Sequence, residues 1–354
     1  MRVLMMTPRI DEEDSLLGFI ITWVNKLAEK IEKLYIICTG YSQADLRKNI
    51  EVYNLNEKSN KFTKANYFVK LMFSILPKVD VVFCHMYPEF TLMAAPFAKI
   101  FRKPIVTWYA HRHVNWKLLI AHSLASRMIT ATKEGLRIRS SKVIVTGHGI
   151  DIERFKPVIN LDVKEKDRIV ILSVGRISPI KDYETLIKAA GLLVNGEGIR
   201  NLEFIIVGGV PMRTHVKYYE KLREIVSELA LEDYVKFIGF VPFKNITDYY
   251  HQSDIFVNLC PTGSADKAVL EAMACGKPVI VCNETYGSLL RPYDNICVFK
   301  YRDFKDLAIK LKELIINKSL WAEIGKHNRE QVIKYHSLTH FLDLLVRVFK
   351  EVSA

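Results

Sequence analysis

The sequence predicts an α/β chain made of two doubly wound, parallel-sheet domains. Three observations lead there. Apolar, β-rich runs alternate with helix-length amphipathic segments along the whole chain. The alternation occurs twice, on either side of a polar stretch that carries a proline. And 354 residues are enough for two domains with a core each.

In the first half, strands are expected at 2–7 (RVLMMT), 34–39, 79–85, 105–110, 127–132 and 142–149, with helices such as 18–33 and 91–103 between them. Runs that are apolar almost throughout suit strands covered on both faces. The second half repeats the plan, with strands at 168–175, 202–209, 235–240, 254–260 and 278–283 and helices at 182–194, 216–230 and 267–275. The boundary is expected within ERFKPVINLDVKEKDR (153–168), giving domains 1–155 and 156–336. The final stretch, 337–352, places Leu342, Leu345, Val346 and Phe349 along one face of an amphipathic helix. Two such domains are expected to face a central cleft between the carboxyl edges of their sheets, the edge where open α/β sheets hold ligands.

Composition excludes several classes. Apolar residues make up 49% and charged residues 25%, which rules out global disorder. No apolar run reaches the ~18 residues of a membrane span. The opening MRVLMMT reads as a first strand rather than a leader. The six cysteines (38, 84, 260, 275, 282, 297) form no CxxC pair and are expected as buried thiols in a reducing cytoplasm. Net charge is +12, and residues 58–142 alone hold 15 Lys/Arg against three acids. That asymmetry suits an anionic membrane, nucleic acid or a phosphate-bearing substrate.

Two loops carry chemistry. In LSVGRISPIKD, Gly175 allows a tight turn at a strand end, and Arg176 and Lys181 project from the loop. Two cations five residues apart suit a diphosphate, Arg binding bidentately and Lys as a point charge, although a solvated loop explains them equally well. In PTGSADKAVLEAMACGKPVIV, the small residues Thr262, Gly263 and Ser264 precede a helix that starts near Asp266. Free N–H groups at a helix start attract anions. Glu271 lies in an apolar setting that suits a ligand contact, such as two ribose hydroxyls, better than a surface glutamate.

These stretches, in order from GHGIDIERFKP (147–157) through LEFIIVGG and VKFIGFV to the loop above, resemble the donor domain of glycosyltransferase family 4 (glycosyl transferases group 1). The resemblance implies the GT-B fold of two Rossmann-like domains, with the tail at 337–354 crossing back to the first. It implies a retaining, metal-independent hexosyltransferase that uses a UDP- or GDP-linked sugar as co-substrate and needs no cofactor. Arg176, Lys181 and Asp266 are then catalytic, with His111 of WYAHRHV facing the transferred sugar. The donor would meet Gly175, Gly208, Phe237, Ile238, Gly239, Gly263, Ser264, Lys267, Ala268 and Glu271, with the ribose on Glu271 and the distal phosphate on the backbone of Lys267 and Ala268. Two departures stand out. The first acid of the family's paired-glutamate motif is Gly263 here, and Asp266 or Ser264 is the candidate replacement. The usual glycine-rich loop after the first strand is PRIDEEDSLLGF, in which only Gly18 remains; Asp11 to Asp14 read best as a solvated acidic loop. On the acceptor side stand Gly18 and His85.

The basic segment 58–78 alternates lysines with apolar residues, as helices at membrane interfaces do, and a lipid-linked or glycan acceptor fits the same charge. No nucleic-acid motif accompanies it, so nucleic acid is not expected as a partner. The three histidines 111, 113 and 122 span a strand end and a helix, a poor pattern for a metal site. His148 is expected to shape the hinge. The expected location is the cytoplasm, with peripheral attachment to the inner face of the cell membrane. The competing functions are a donor-binding relative with little turnover and another GT-B enzyme such as a nucleotide-sugar epimerase.

Overall fold

The computed structural model describes residues 1–14, 17–158, 167–261 and 265–354. They divide into two compact units, Met1–Gly149 with Pro242–Lys244 and His336–Ala354, and Ile150–Val241 with Asn245–Tyr335. The first crossing thus falls at Gly149–Ile150, ahead of the polar stretch that pointed to 155–156.

The first unit is a seven-stranded parallel sheet of β1 (Arg2–Thr7), β2 (Lys33–Cys38), β3 (Ile50–Asn54), β4 (Val81–His85), β5 (Ile105–Trp108), β6 (Arg127–Thr130) and β7 (Val143–Val145). The spatial order is β3-β2-β1-β4-β5-β6-β7, so the winding reverses between β1 and β4. Central strand β1 is buried on both faces, and its period of two sorts the packing. Val3 and Met5 join Trp23, Val24 and Leu27 of the helix Ile20–Ala28 and Phe341, Leu342, Leu345 and Phe349 of the final helix Leu338–Ser353. Leu4 and Met6 face the other way, onto Phe68, Leu71 and Met72 of the helix Lys61–Ile75 and Ala94 and Ala98 of the helix Pro88–Ile100. Strand β3 escaped the sequence pattern. It is the edge strand, half-exposed, and its Glu51 pairs with Lys33 of β2.

The second unit has five parallel strands, β8 (Ile169–Val174), β9 (Leu202–Val207), β10 (Val235–Gly239), β11 (Ile255–Asn258) and β12 (Val279–Val281), in the order β10-β9-β8-β11-β12. Its switch point lies between β8 and β11. The helix Lys267–Ala274 presses on this sheet through Ala268, Ala272 and Ala274, all buried, whose small side chains permit close approach. The Arg329 guanidinium ties the unit's start to that helix by donating to the carbonyls of Ile152, Phe155 and Ala274 at 3.3, 3.1 and 2.6 Å.

All six cysteines are free and buried. Burial pushes the Cys84 thiol up to about 12, so it stays protonated and packs as a small apolar group. Among the described residues, no helix is long and apolar enough to cross a membrane.

Candidate active site

The site of the second unit is built at the carboxyl ends of β8 and β11, beside the switch point. The loop after β8 is held by backbone contacts: Gly175 N donates to Val207 O and Ile177 N to Gly209 O, both at 2.9 Å. The buried Tyr183 hydroxyl donates to Gly175 O at 2.6 Å. On this fixed loop Arg176 is exposed, and its guanidinium makes no hydrogen bond or ion pair with a described residue. Lys181 is different. Its side chain is only 15% exposed, and its ammonium donates to the Asp266 carboxylate. Burial opposes the ammonium charge, but the Asp266 carboxylate outweighs it and raises the lysine above its ordinary value; the Arg176 charge pulls the other way.

Asp266 is the N-cap of the helix Lys267–Ala274. One carboxylate oxygen accepts from Ala268 N at 3.4 Å, and the other accepts from Lys181 and from Asn258 Nδ2, at 3.1 Å for the latter. The Tyr286 hydroxyl donates to its carbonyl at 2.9 Å. Burial would push this carboxyl up, yet Lys181, Asn258 and the helix N–H hold it below the usual carboxylate range. The expectation that the Ala268 N–H waits for a phosphate therefore needs correction: a side-chain carboxylate already caps it. Gly263 and Ser264, with Thr262, lie outside the described residues.

Three glycines bring the ends of β8, β9 and β10 together. Gly208, at φ +157°, has its backbone against the first loop; a Cβ there would sit 1.9 Å from Gly175 O. Its N–H donates to Gly239 O at 2.8 Å. Gly239, at φ +83°, faces open space. The β9–β10 register shifts between Phe237 and Gly239, which turns neighbouring side chains differently. Phe237 packs edge-on against Tyr219 at 5.3 Å, and Ile238 is 41% exposed.

Glu271 is buried, one turn below Lys267, and its Oε2 accepts from the Tyr250 hydroxyl at 2.8 Å. Burial raises its carboxyl well above the ordinary value and lowers the Lys267 ammonium, while each charge favours the other. No described residue donates to Oε1. Asn258, Tyr183, Tyr250 and Tyr286 were not among the expected site residues. A polar residue closing an apolar strand was the available signal for Asn258; the tyrosines read as ordinary core.

In the first unit, His111 is exposed beyond the carboxyl end of β5, with Nδ1 accepting from His113 N at 3.2 Å. The two acceptor-side residues are corrected. His85 is fully buried, hydrogen-bonded to Thr7 Oγ1 at 3.0 Å, with the Trp108 and Trp23 rings 5.0 and 5.6 Å away, so it touches core and not an acceptor. Gly18 is also packed: a Cβ would lie 2.6 Å from Phe243 Cβ and 2.8 Å from Glu12 O, so its missing side chain serves close approach within the protein. His148 is buried and stacks on His336 at 6.3 Å.

Residues 157–331 match the family model described as glycosyl transferases group 1. That segment is a glycosyl transferases group 1 domain. The match covers both loops, β8 to β12 and the helix that bears Glu271. Curated relatives of this group 1 segment include a D-inositol 3-phosphate glycosyltransferase from Saccharomonospora viridis, 24% identical over 222 residues, 58% of this chain and 49% of the relative. Another is the mannosylfructose-phosphate synthase of Agrobacterium fabrum, 27% identical over 210 residues, 56% of this chain and 46% of the relative. The chain thus spans about half the length of the curated relatives it matches, or less. Among solved structures, HepE of Anabaena in complex with UDP superposes with a TM-score of 0.79 at 17% identity, covering 99% of this chain and 100% of that one. The sucrose-phosphate synthase of Thermosynechococcus elongatus gives 0.75 at 16% identity, covering 99% and 98%. The chain therefore has the GT-B fold, with two Rossmann-like parallel-sheet domains.

Proposed function

We propose that this protein transfers a hexose from a UDP- or GDP-linked sugar to a lipid-linked or glycan acceptor, with retention at the anomeric carbon and without a metal ion or other cofactor. The observation that carries the proposal is the exposed Arg176 guanidinium, without a partner among the described residues, on the turn after β8, beside Lys181 and next to the switch point. Nucleotide ligands of such sheets bind at that edge. HepE, of like fold, was crystallised with UDP-glucose.

In sugar transfer the anomeric carbon gains oxocarbenium character while negative charge grows on the leaving diphosphate. Arg176 and Lys181 stabilise that charge more in the transition state than in the ground state, and so lower the barrier. The bare backbone at Gly208 and Gly239 gives the nucleotide close approach, and Glu271 Oε1 accepts from the ribose. His111 serves the transferred sugar. Asp266, three residues after Gly263 in the sequence, takes over the donor-sugar contact of the missing acid. The acceptor is met at the surface of an anionic membrane by the basic first unit, in keeping with a cytoplasmic protein held peripherally.

The test is incubation with UDP- and GDP-hexoses and lipid acceptors in the presence of a chelator, reading nucleoside diphosphate release and the anomeric configuration of the product. Release from no donor would sink the proposal. One observation favours a second reading, a donor-binding protein with little turnover: Asp266 occupies the helix tip and holds Lys181. Calorimetric donor binding without product would select it.

A further inference from the structure

The helices Lys61–Ile75, Pro88–Ile100 and Trp116–Leu124 of the first unit pack in succession. A helix laid on a sheet ordinarily turns one apolar stripe inward and a polar face to water. These three turn apolar residues both ways. In the first, Phe68, Leu71, Met72 and Ile75 are buried, while Phe62, Val69 and Phe73, at spacings of seven and four, are 81%, 38% and 50% exposed. In the third, Leu118 and Ala121 are buried, while Trp116, Leu119, Ile120 and Leu124 are all exposed, Trp116 at 65%. The middle helix adds Met93 and Ile100. The outer stripes are joined: the Phe73 ring meets Phe97 and Phe101 at 5.8 and 5.7 Å, and Lys117 pairs with Glu89 at 2.8 Å. Between the first two helices lies an apolar groove of about 400 Å³, lined by Leu55, Phe68, Val69, Met93 and Phe97 together with Lys61 and Lys64.

Uncovered apolar surface of this extent marks an interaction site. Its surroundings select the partner, because residues 58–142 carry 15 basic residues and three acids, one of them already paired with Lys117. We infer that this three-helix face docks on an anionic lipid bilayer, with Phe62, Phe73, Ile100, Trp116 and Leu119 entering the boundary between headgroups and acyl chains and the lysines meeting lipid phosphates. A second copy of the chain would bring the same positive charge against the face. A nucleic acid would satisfy the lysines and leave Ile100, Leu119 and Leu124 in water. The inference rests on the membrane reading proposed above and names the surface that performs it; it does not depend on sugar transfer.

The test is flotation of the intact chain with phosphatidylcholine vesicles, with and without phosphatidylglycerol. The chain is expected to float with the phosphatidylglycerol vesicles, less so at high salt, and to stay behind with phosphatidylcholine alone. Trp116→Glu and Phe73→Glu should each lower vesicle partitioning about tenfold, with unchanged Tm, since both side chains are at the surface. Full binding by both variants would overturn the assigned face and leave the membrane reading standing. No binding of the unaltered chain to either vesicle would overturn both. Elution of the unaltered chain as a dimer that Trp116→Glu dissolves would make the face an interface between copies and overturn the inference.

Discussion

Lys181 and Asp266, 85 residues apart in the chain, form an ion pair across the carboxyl ends of β8 and β11. The pair joins the loop that suits a diphosphate to the helix tip that the Asp266 carboxylate caps. A donor arriving there meets Arg176 without a partner among the described residues and Lys181 already shared with an internal carboxylate. The two cations therefore contribute differently, and their substitutions should be separable.

Arg176→Ala should lower nucleoside diphosphate release about 100-fold, the loss of ~3 kcal/mol of transition-state stabilisation, with Tm unchanged because the side chain is exposed and pairs with no described residue. Lys181→Ala should lower turnover similarly and also cost about 1–3 kcal/mol of stability, because Asp266 loses its counter-charge. Steady-state rates with thermal melts check both. Near-normal turnover in Arg176→Ala would remove the diphosphate assignment.

The ion pair sets a pH window. The Asp266 carboxyl is held below its unfolded value of ~3.9, so its contribution is full above that value and is lost as pH falls through the folded one. Lys181 is raised above its unfolded ~10.4, so its contribution is full below that value and is lost as pH rises through the folded one. Asp266→Asn should therefore melt below the unaltered chain from about pH 5 to 9, and the gap should close below pH ~4. A gap that stays constant down to pH ~2 would refute the pair's contribution to stability.

Glu271 carries the opposite sign. Burial pushes its carboxyl up to about 7 from an unfolded ~4.3, so the folded state holds a proton that the unfolded chain releases, and stability falls as pH rises between those values. Glu271→Gln keeps an acceptor for Tyr250 and removes that penalty. Its Tm relative to the unaltered chain should rise between pH ~5 and ~8, while affinity for a nucleoside diphosphate falls. Calorimetry at both pH values separates the two effects; unchanged affinity would free Glu271 from the ribose role.

Gly208→Ala should be among the most damaging single-methyl additions in the chain. The new Cβ would stand 1.9 Å from Gly175 O, and backbone, unlike a side-chain tip, cannot swing away. A loss of about 2 kcal/mol or more and weaker UDP or GDP binding are expected. Gly198→Ala is the control, with no atom within 4 Å of the added carbon although its φ is +70°. Equal stability of the two variants would show that the close approach is not required.

Much of this was legible in the sequence. Strands apolar on both faces announce a parallel sheet, and nine of the eleven expected strands overran the observed carboxyl end, as PVIVCN does beyond Val281. Strand β3 was illegible because an edge strand with one neighbour and a paired Glu51 looks polar. At the site, Arg176 and Lys181 could be read from a loop, since charge next to a glycine turn is local information. The Lys181–Asp266 contact could not, because it depends on which two strands become neighbours. The same limit hid Tyr250 beneath Glu271 and misdirected His85, whose position at a strand end suggested access while Thr7, Trp23 and Trp108 enclose it.

The helix Leu338–Ser353 supplies Phe341, Leu342, Leu345 and Phe349 to the core around β1. During synthesis, the amino-terminal sheet emerges from the ribosome long before the side chains that cover one of its faces. The second unit, contiguous but for the short return at Pro242–Lys244, has its whole sheet translated by Val281. The half made first is thus the half completed last, and a chain truncated after residue 337 should leave the ribosome with Trp23 and Phe83 uncovered, a ready substrate for chaperones.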